Sequence, residues 1–190
     1  IYGFSHTHLS GTGASDYGDI LIVPLTGNPV FDNTKYSSPF QKKNEFARAG
    51  YYSVLLDKYK VKAELTTTDR VGFHRYTYEK PKKAALLIDL AHRDRVIESY
   101  IRVAGRNELH GYRRSSHWAN DQQIYFVIRF SEPFAEGPML TDDDGKLVTV
   151  VDDNGKLLAE GTKLKAWVRF PKLTEGKLLV KVGLSAVSEE

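Results

Sequence analysis

The sequence lacks several features that would direct it to other classes of protein. Its 190 residues contain no cysteine, which excludes a disulfide framework and thiolate chemistry. No apolar run approaches the roughly 18 to 20 residues of a membrane span. The formal net charge is only +3, and lysines and arginines alternate instead of clustering, which argues against a nucleic-acid partner. No glycine-rich loop opens a helix, so a nucleotide site has no support.

What is present is a series of short apolar runs that predict β-strands at spacings of 8–12 residues. We expect one all-β domain over residues 1–190, an antiparallel β-sandwich of about a dozen strands. Residues 59–65 alternate apolar and charged side chains and should pair with residues 71–78 as a hairpin. Residues 96–103 and 108–112 predict another hairpin. Residues 124–130 are expected to form the strongest core strand.

Turn signals separate these runs. Residues 27–50 carry many breakers and predict a long loop, with one helical turn over 44–49, that borders the functional site. Asp144-Gly145 and Asn154-Gly155 favour type I′ hairpin turns on a surface meander. The acidic cluster 142–144 does not match a calcium-binding EF-hand, because Gly145 follows at once and no spaced glutamate comes after.

The chemically richest stretch is residues 3–19. It contains two histidines (His6 and His8), two carboxylates (Asp16 and Asp19), four glycines and several hydroxyls, and it is poor in apolar bulk. Glycine permits positive φ and the close approach of another surface, and polar groups on such loops commonly carry function. We therefore expect a functional loop here and not a core strand.

The two histidines have three possible roles. In an extended chain His6 and His8 point to the same side, where they can hydrogen-bond a ligand. With Asp16 or Asp19 they can instead bind a transition metal, or they can simply satisfy neighbouring backbone groups. A catalytic pairing of Asp16 with Asp19 is disfavoured, because a spacing of three does not place two carboxylates across a sugar. Turn and strand-start hydrogen bonds are their commoner use.

An aromatic residue gives a second candidate position. Trp118, with His117, Arg113 and Arg114, can form a platform on which a pyranose ring stacks; the alternative is a tryptophan that anchors a loop. Trp167 alternates with apolar neighbours and is expected in the core. The remaining histidines, His74, His92 and His110, are expected to be structural or surface residues.

The opening stretch also carries a resemblance. The run 6–13 followed by Asp16-Tyr17-Gly18-Asp19 is similar to the signature of the N-terminal domain of the glycoside hydrolase family 92 α-mannosidases. Further stretches resemble the same domain in the same order over nearly the whole chain. They are Pro39-Phe40 to Tyr51-Tyr52-Ser53-Val54, Ala63-Glu64-Leu65-Thr66-Thr67-Thr68, Gly72-Phe73-His74-Arg75-Tyr76, Ile88-Asp89-Leu90, Trp118-Ala119 to Tyr125-Phe126, Phe130-Ser131-Glu132-Pro133-Phe134 and Val182-Gly183-Leu184-Ser185.

The resemblance implies a supersandwich of the galactose-mutarotase-like kind, followed in the full protein by a helical-barrel domain that this chain lacks. It implies inverting hydrolysis of terminal α-mannosides on glycans, with a calcium ion in the full-length enzyme and both catalytic carboxylates in the barrel. This chain alone is expected to be inactive and to bind no metal. It would help complete the sugar site. The candidate substrate-binding residues are His6, His8, Ser10, Asp16 and Trp118.

The resemblance further implies a bacterial protein of the periplasm or the exterior. The chain opens at Ile1 without a methionine, so we expect a fragment or a processed chain whose export signal has been lost. Its expected partners are mannose-containing oligosaccharides and the catalytic domain of the same polypeptide. Two alternatives stay open: an autonomous carbohydrate-binding sandwich without catalysis, and a metal-dependent enzyme built on His6 and His8.

Overall fold

The fold consists of two antiparallel sheets packed face to face, in a computed structural model that describes residues 1–8, 17–135 and 137–189. Three single-turn 3₁₀ helices, at Lys42–Asn44, Pro81–Lys83 and Thr174–Gly176, accompany the strands in these ranges. No helix there is long and apolar enough to cross a membrane. The strands are β1 Phe4–His6, β2 Asp19–Thr26, β3 Glu45–Arg48, β4 Tyr51–Leu56, β5 Val61–Thr67, β6 Val71–Tyr78, β7 Ala84–Asp89, β8 Arg95–Gly105, β9 Glu108–Ser116, β10 Gln122–Phe130, β11 Met139–Thr141, β12 Val150–Val151, β13 Leu157–Glu160, β14 Lys165–Phe170 and β15 Lys177–Ser185.

The predicted antiparallel β-sandwich is confirmed. One sheet has five strands in the order β1-β2-β7-β14-β11, and the other has ten in the order β12-β13-β8-β9-β10-β15-β6-β5-β4-β3. Both expected hairpins form, as β5 with β6 and β8 with β9. The described residues contain fifteen strands instead of about a dozen, because β1, β3, β11 and β12 are only two to four residues long.

The core lies between the sheets, but the most buried strands belong to the smaller one. Every residue of β7 is buried, and so are seven of the eight in β2, whereas β10 alternates between buried and partly exposed positions. The prediction that β10 is the strongest core strand is therefore wrong. At the inter-sheet boundary the Phe130 and Phe170 ring centroids lie 5.1 Å apart.

The loop that follows β2 explains why β7 is buried on both faces. Its Tyr36 hydroxyl donates to Asp89 Oδ2 at 2.9 Å, and Lys165 Nζ donates to the Phe31 carbonyl at 2.6 Å and to Asn33 Oδ1 at 2.5 Å. This part of the loop therefore covers the outer face of the five-stranded sheet. The end of the range predicted to border the functional site, at Ala47, Arg48 and Gly50, does line the cleft beside β1.

Two local expectations also change. Residues 45–48 form β3, and the helical turn lies just before it at Lys42–Asn44. In the two meander turns the glycines alone have positive φ, so they are not type I′ turns; each is an Asp-capped turn closed by a left-handed glycine, Gly145 or Gly155.

Candidate functional site

An open cleft of about 600 Å³ lies where the edge strand β1 faces the ends of β3, β4, β5 and β6. We call it the N-terminal cleft. It is lined in part by residues of the opening stretch, and it is open to solvent. Its lining is Phe4, Ser5, His6, Thr7, His8, Ala47, Arg48, Gly50, Tyr51, Tyr52, Leu65, Thr66, Thr67, Thr68, Asp69, Arg70, Val71, Gly72, His74 and Leu184.

The floor of the cleft is a chain of hydrogen bonds through two stacked histidines. The rings of His6 and His74 are 5.1 Å apart and nearly parallel, with Nε2 to Nε2 at 3.2 Å. The Tyr76 hydroxyl lies 2.6 Å from His74 Nδ1, and His6 Nδ1 lies 2.9 Å from the Ile20 carbonyl. One assignment of hydrogens satisfies every contact: Tyr76 donates to His74 Nδ1, His74 Nε2 donates to His6 Nε2, and His6 Nδ1 donates to Ile20.

Both histidines are held neutral. Burial lowers the pKa of His6, although its hydrogen bond to the Ile20 carbonyl opposes the shift. Burial, reinforced by the neighbouring His6, lowers the pKa of His74 to about 3. Gly72 makes room for the pair, since a Cβ at this position would lie 2.7 Å from His6 Nε2. The floor is thus a neutral and tightly packed unit at physiological pH.

A buried ion pair fixes the base of the opening stretch. Asp19 and Arg113 are each about 1% exposed, and Arg113 Nη1 donates to Asp19 Oδ1. Asp19 Oδ2 accepts from the Thr7 hydroxyl at 2.6 Å and from Gln122 Nε2. The Asp19 carboxylate therefore ties together the two ends of the opening stretch and the start of β10. Its use is a strand-start hydrogen-bond network, the alternative favoured over catalysis from the sequence.

The same region holds unusual backbone conformations. Among the described residues, six non-glycine residues have positive φ. Three of them lie in or directly after the opening stretch: Thr7, Tyr17 and Ile20. Such conformations are disfavoured, most strongly for β-branched residues. At Ile20 the strain accompanies a β-bulge, because His6 pairs with Asp19 while Phe4 pairs with Ile22. The bulge turns the Ile20 carbonyl toward His6.

The predicted site residues do not all come together. His8 is exposed on the cleft wall, whereas His6 is 8% exposed and uses both ring nitrogens inside the protein. The two side chains part because Thr7, between them, is left-handed and ends the strand. This geometry favours a positioning role for His6 over direct contact with a ligand. Ser10 and Asp16 lie outside the described residues, so their predicted contacts stay predictions.

Trp118 lies apart from the cleft lining. Its side chain is 74% exposed in the turn between β9 and β10. This turn is nevertheless near the base of the opening stretch, since Gln122 at the start of β10 reaches Asp19. The wider platform predicted around Trp118 does not form: Arg113 is buried, and Arg114 is held by Asp121 through two hydrogen bonds of 2.7 and 2.8 Å.

Sequence reasoning missed one wall of the cleft. Thr66, Thr67, Thr68, Asp69 and Arg70 are exposed at the turn between β5 and β6 and face the N-terminal residues across the cleft. Their turn position was predicted, but nothing local in the sequence links them to β1, because the contact depends on how the edges of the two sheets meet.

The described residues form no group of three or more His, Cys, Asp or Glu side chains that could hold a metal ion. The hypothesis of a metal centre on His6 and His8 also fails for His6, whose nitrogens are both engaged. The acidic residue in the described part of the cleft lining is Asp69. Hydrolysis of a glycoside by two carboxylates therefore has no pair available there.

Comparisons with known proteins agree with this architecture. Residues 1–185 match the family model described as the glycosyl hydrolase family 92 N-terminal domain. The family 92 α-mannosidase BT3965 from Bacteroides thetaiotaomicron is 32% identical with a TM-score of 0.87 over 99% of this chain and 27% of its own. The family 92 glycosyl hydrolase ccman5 is 27% identical with a TM-score of 0.82 over 99% of this chain and 26% of its own.

A more distant match shows the fold alone. The inverting mannosidase BT2199 from Bacteroides thetaiotaomicron VPI-5482 is 18% identical with a TM-score of 0.69, over 89% of this chain and 22% of its own. A comparison with curated protein sequences gives no significant match. The chain thus spans about a quarter of the length of the solved structures that it matches.

Proposed function

Because the chain belongs to glycosyl hydrolase family 92, whose N-terminal domain it contains, we propose that it completes the sugar site of an inverting, calcium-dependent α-mannosidase. The substrates would be terminal α-mannosides of glycans, and the remainder of the polypeptide would supply the catalytic barrel. A domain boundary near residue 190 belongs to the same proposal, as does location in the bacterial periplasm or outside the cell.

The observation that carries the proposal is the N-terminal cleft. Its exposed side chains include an imidazole (His8) and the hydroxyls of Thr66, Thr67 and Thr68, which suit the many hydroxyls of a sugar. The Thr66 and Thr67 hydroxyls donate to backbone carbonyls and so offer an acceptor. Its volume of about 600 Å³ falls within the usual range of about 300–1,000 Å³ for small-molecule sites. Its open side leaves space for a second wall from another part of the polypeptide.

The carboxylates of the described residues support this division of labour. An inverting glycosidase needs an acid on the leaving oxygen and a base that activates water on the opposite sugar face, about 6.5–9.5 Å apart. Asp19 is committed to Arg113, and Glu64 is held by Arg75 through hydrogen bonds of 2.8 and 2.7 Å. We therefore assign both catalytic carboxylates to the rest of the polypeptide. This chain would bind and orient the sugar.

Within that role, His8 and the floor histidines have different tasks. We assign His8 to direct contact with sugar hydroxyls, because its side chain is exposed in the cleft. His6 and His74 hold β1 against β6, and through the left-handed Thr7 they fix the direction in which His8 leaves the sheet. Ser10, Asp16 and Trp118 remain in the proposed contact set from the sequence. Calcium would help orient mannose hydroxyls, but the described residues offer no fitting ligand cluster, so we assign it to no residue of this chain.

The test uses the full-length protein with a chromogenic α-mannoside. Because each lost hydrogen bond to a sugar hydroxyl costs about 0.5–1.5 kcal/mol, and more where the transition state is bound, His8→Ala should lower kcat/KM by about ten-fold or more. Asn154→Ala, at the exposed tip of the turn before β13, is the matched control and should have no effect. Unchanged kcat/KM in His8→Ala would remove the cleft from the substrate site.

A second measurement separates this proposal from an autonomous binding module. The 190-residue chain alone should not hydrolyse α-mannosides, and it should bind α-mannobiose weakly because one wall of the site is absent. Micromolar affinity that is lost in His8→Ala would instead favour the binding module. Calcium-dependent turnover by the chain alone would contradict the assignment of the catalytic carboxylates to the rest of the polypeptide.

A further inference from the structure

Three tyrosines form an aromatic row on the outer face of the ten-stranded sheet. Tyr100 of β8 pairs directly with Tyr112 of β9, which pairs directly with Tyr125 of β10. The ring centroids are 5.9 Å apart for the first pair and 4.7 Å for the second. Ile101 follows Tyr100 in β8 and Phe126 follows Tyr125 in β10, and both are about 1% exposed in the core. Because side chains alternate along a strand, the tyrosines face away from the core.

A groove of about 520 Å³ runs beside this row. We call it the tyrosine groove. It shares no residue with the N-terminal cleft, which is bordered by residues on the opposite face of the sheet, such as His74. A neighbouring depression shares Tyr100 and Tyr125 and contains Glu189, which accepts the Tyr100 hydroxyl hydrogen. The tyrosine groove is lined by Ile97, Glu98, Ser99, Tyr100, Tyr112, Tyr125, Glu160, Gly161 and Thr162.

The groove presents unused hydrogen-bonding groups around the rings. The exposed Glu160 carboxylate and the Tyr125 hydroxyl have no hydrogen-bond partner among the described residues. Glu98 is exposed and makes only long contacts through Oε1, at 3.3 Å from the Tyr112 hydroxyl and 3.5 Å from Arg114. The groove therefore combines the partly exposed rings of Tyr100 and Tyr125 with two solvent-exposed carboxylates, and it is not simply apolar.

We propose that the tyrosine groove is a second saccharide-binding site, separate from the N-terminal cleft, which binds a neutral pyranoside. The C–H face of the sugar ring would pack on Tyr100 and Tyr125, while its hydroxyls would donate to the Glu98 and Glu160 carboxylates. The row is rigid because the rings pack on one another, so little conformational entropy is lost on binding. Two carboxylates beside the rings repel anionic sugars, which selects a neutral ligand.

In the context of the proposed function the ligand would be an α-mannosyl residue of a glycan whose other end lies in the cleft. Binding at the tyrosine groove does not, however, require catalysis. A failure of hydrolysis and a failure of groove binding are therefore distinguishable, since the first is read as turnover and the second as NMR signals of the Tyr125 ring.

The test is a titration of the 190-residue chain, labelled in its tyrosine rings, with methyl α-mannoside and with mannose 6-phosphate. Methyl α-mannoside should shift the Tyr125 ring signals, and mannose 6-phosphate should bind at least several-fold more weakly. Tyr125→Ala should weaken binding at this site at least ten-fold. Tyr125→Ala also removes the ring contact with Tyr112, so Glu160→Ala at an exposed position gives an independent reading and should weaken binding several-fold.

Two controls make the outcome specific. Tyr2→Ala removes an aromatic residue that is 54% exposed and lies outside both sites, and His8→Ala alters only the cleft; neither should change the Tyr125 shifts. The proposal is overturned if the neutral sugar leaves the Tyr125 signals unchanged or if both groove variants bind as the wild type does. It is equally overturned if the full-length protein shields Tyr125 from a soluble paramagnetic probe, because another part of the polypeptide then occupies the groove.

Discussion

Replacing His74 by glutamine should make the chain less sensitive to acid. The pKa of His74 in the folded chain is about 3, because the ring is buried and stacked on His6, whereas an unfolded histidine titrates near 6.5. Below pH 6.5 the unfolded state binds a proton that the folded state does not. The contribution of the buried neutral ring to the free energy of unfolding is therefore fully present above pH 6.5 and is lost as the pH falls toward 3.

The magnitude follows from this linkage. Each pH unit well below 6.5 costs about 1.4 kcal/mol, and the slope is about half as steep at pH 6.5 itself. His74 alone should therefore lower the free energy of unfolding by about 2 kcal/mol between pH 6.5 and 4.5. The lowered pKa of His6 acts in the same direction. Glutamine is the suitable replacement, since its amide N–H can donate to His6 Nε2 without titrating. His74→Gln should be less stable than the wild type at pH 7.5, with a pH slope reduced by up to about 1.4 kcal/mol per unit.

The assay is urea unfolding followed by circular dichroism at pH 7.5, 6.5, 5.5 and 4.5. Asn120→Gln is the control, because that side chain is exposed between β9 and β10 and does not titrate, so the slope should be unchanged. If His74→Gln keeps the wild-type slope from pH 6.5 to 4.5, the floor of the cleft is not a neutral buried pair. The hydrogen-bond assignment from Tyr76 to Ile20 would then be wrong.

Two further stability predictions test the framework that holds the cleft. Gly111→Ala should lower the free energy of unfolding by about 1–3 kcal/mol, because its Cβ would lie 2.5 Å from the Tyr100 carbonyl oxygen. Gly105→Ala is the control: its Cβ would meet nothing closer than 4.0 Å, so its thermal melt should change little. Arg113→Leu should cost about 3–5 kcal/mol in urea unfolding because it leaves the Asp19 carboxylate buried without its cation. Adding Asp19→Asn to Arg113→Leu should recover part of that loss, and strictly additive losses would contradict the coupling.

A structural feature is predictable from the sequence when residues close together along the chain determine it, and not when distant residues do. The hairpin of β5 with β6 was predictable because alternation and turn residues act locally. Arg113 was not: beside Trp118 it looked like a surface residue, and only its contact with Asp19, 94 residues away in sequence, shows that it is buried. The same limit concealed the partnership of His6 with His74, 68 residues apart.

The segments that sequence patterns misplace most are those on which tertiary contacts override local preference. The stretch around β1 reads as a loop because it is polar and rich in glycine, yet Phe4–His6 pairs with β2. Conversely, residues 27–50 looked functional because of their length, but the part around Tyr36 covers a sheet face and the end of the range, at Arg48 and Gly50, reaches the cleft. Length and polarity identify irregular segments; what such a segment packs against is decided by the rest of the chain.

The strained backbone beside the cleft is held in place by contacts from several parts of the sandwich. Positive φ at Thr7, Tyr17 and Ile20 costs on the order of 1–3 kcal/mol each, and such strain persists only where surrounding contacts enforce it. Here the contacts are the Asp19 network, which holds Thr7, and the stacked His6, which holds the Ile20 carbonyl. In the proposed function these conformations set the direction in which the chain leaves β1 toward His8, the residue assigned to contact with the sugar.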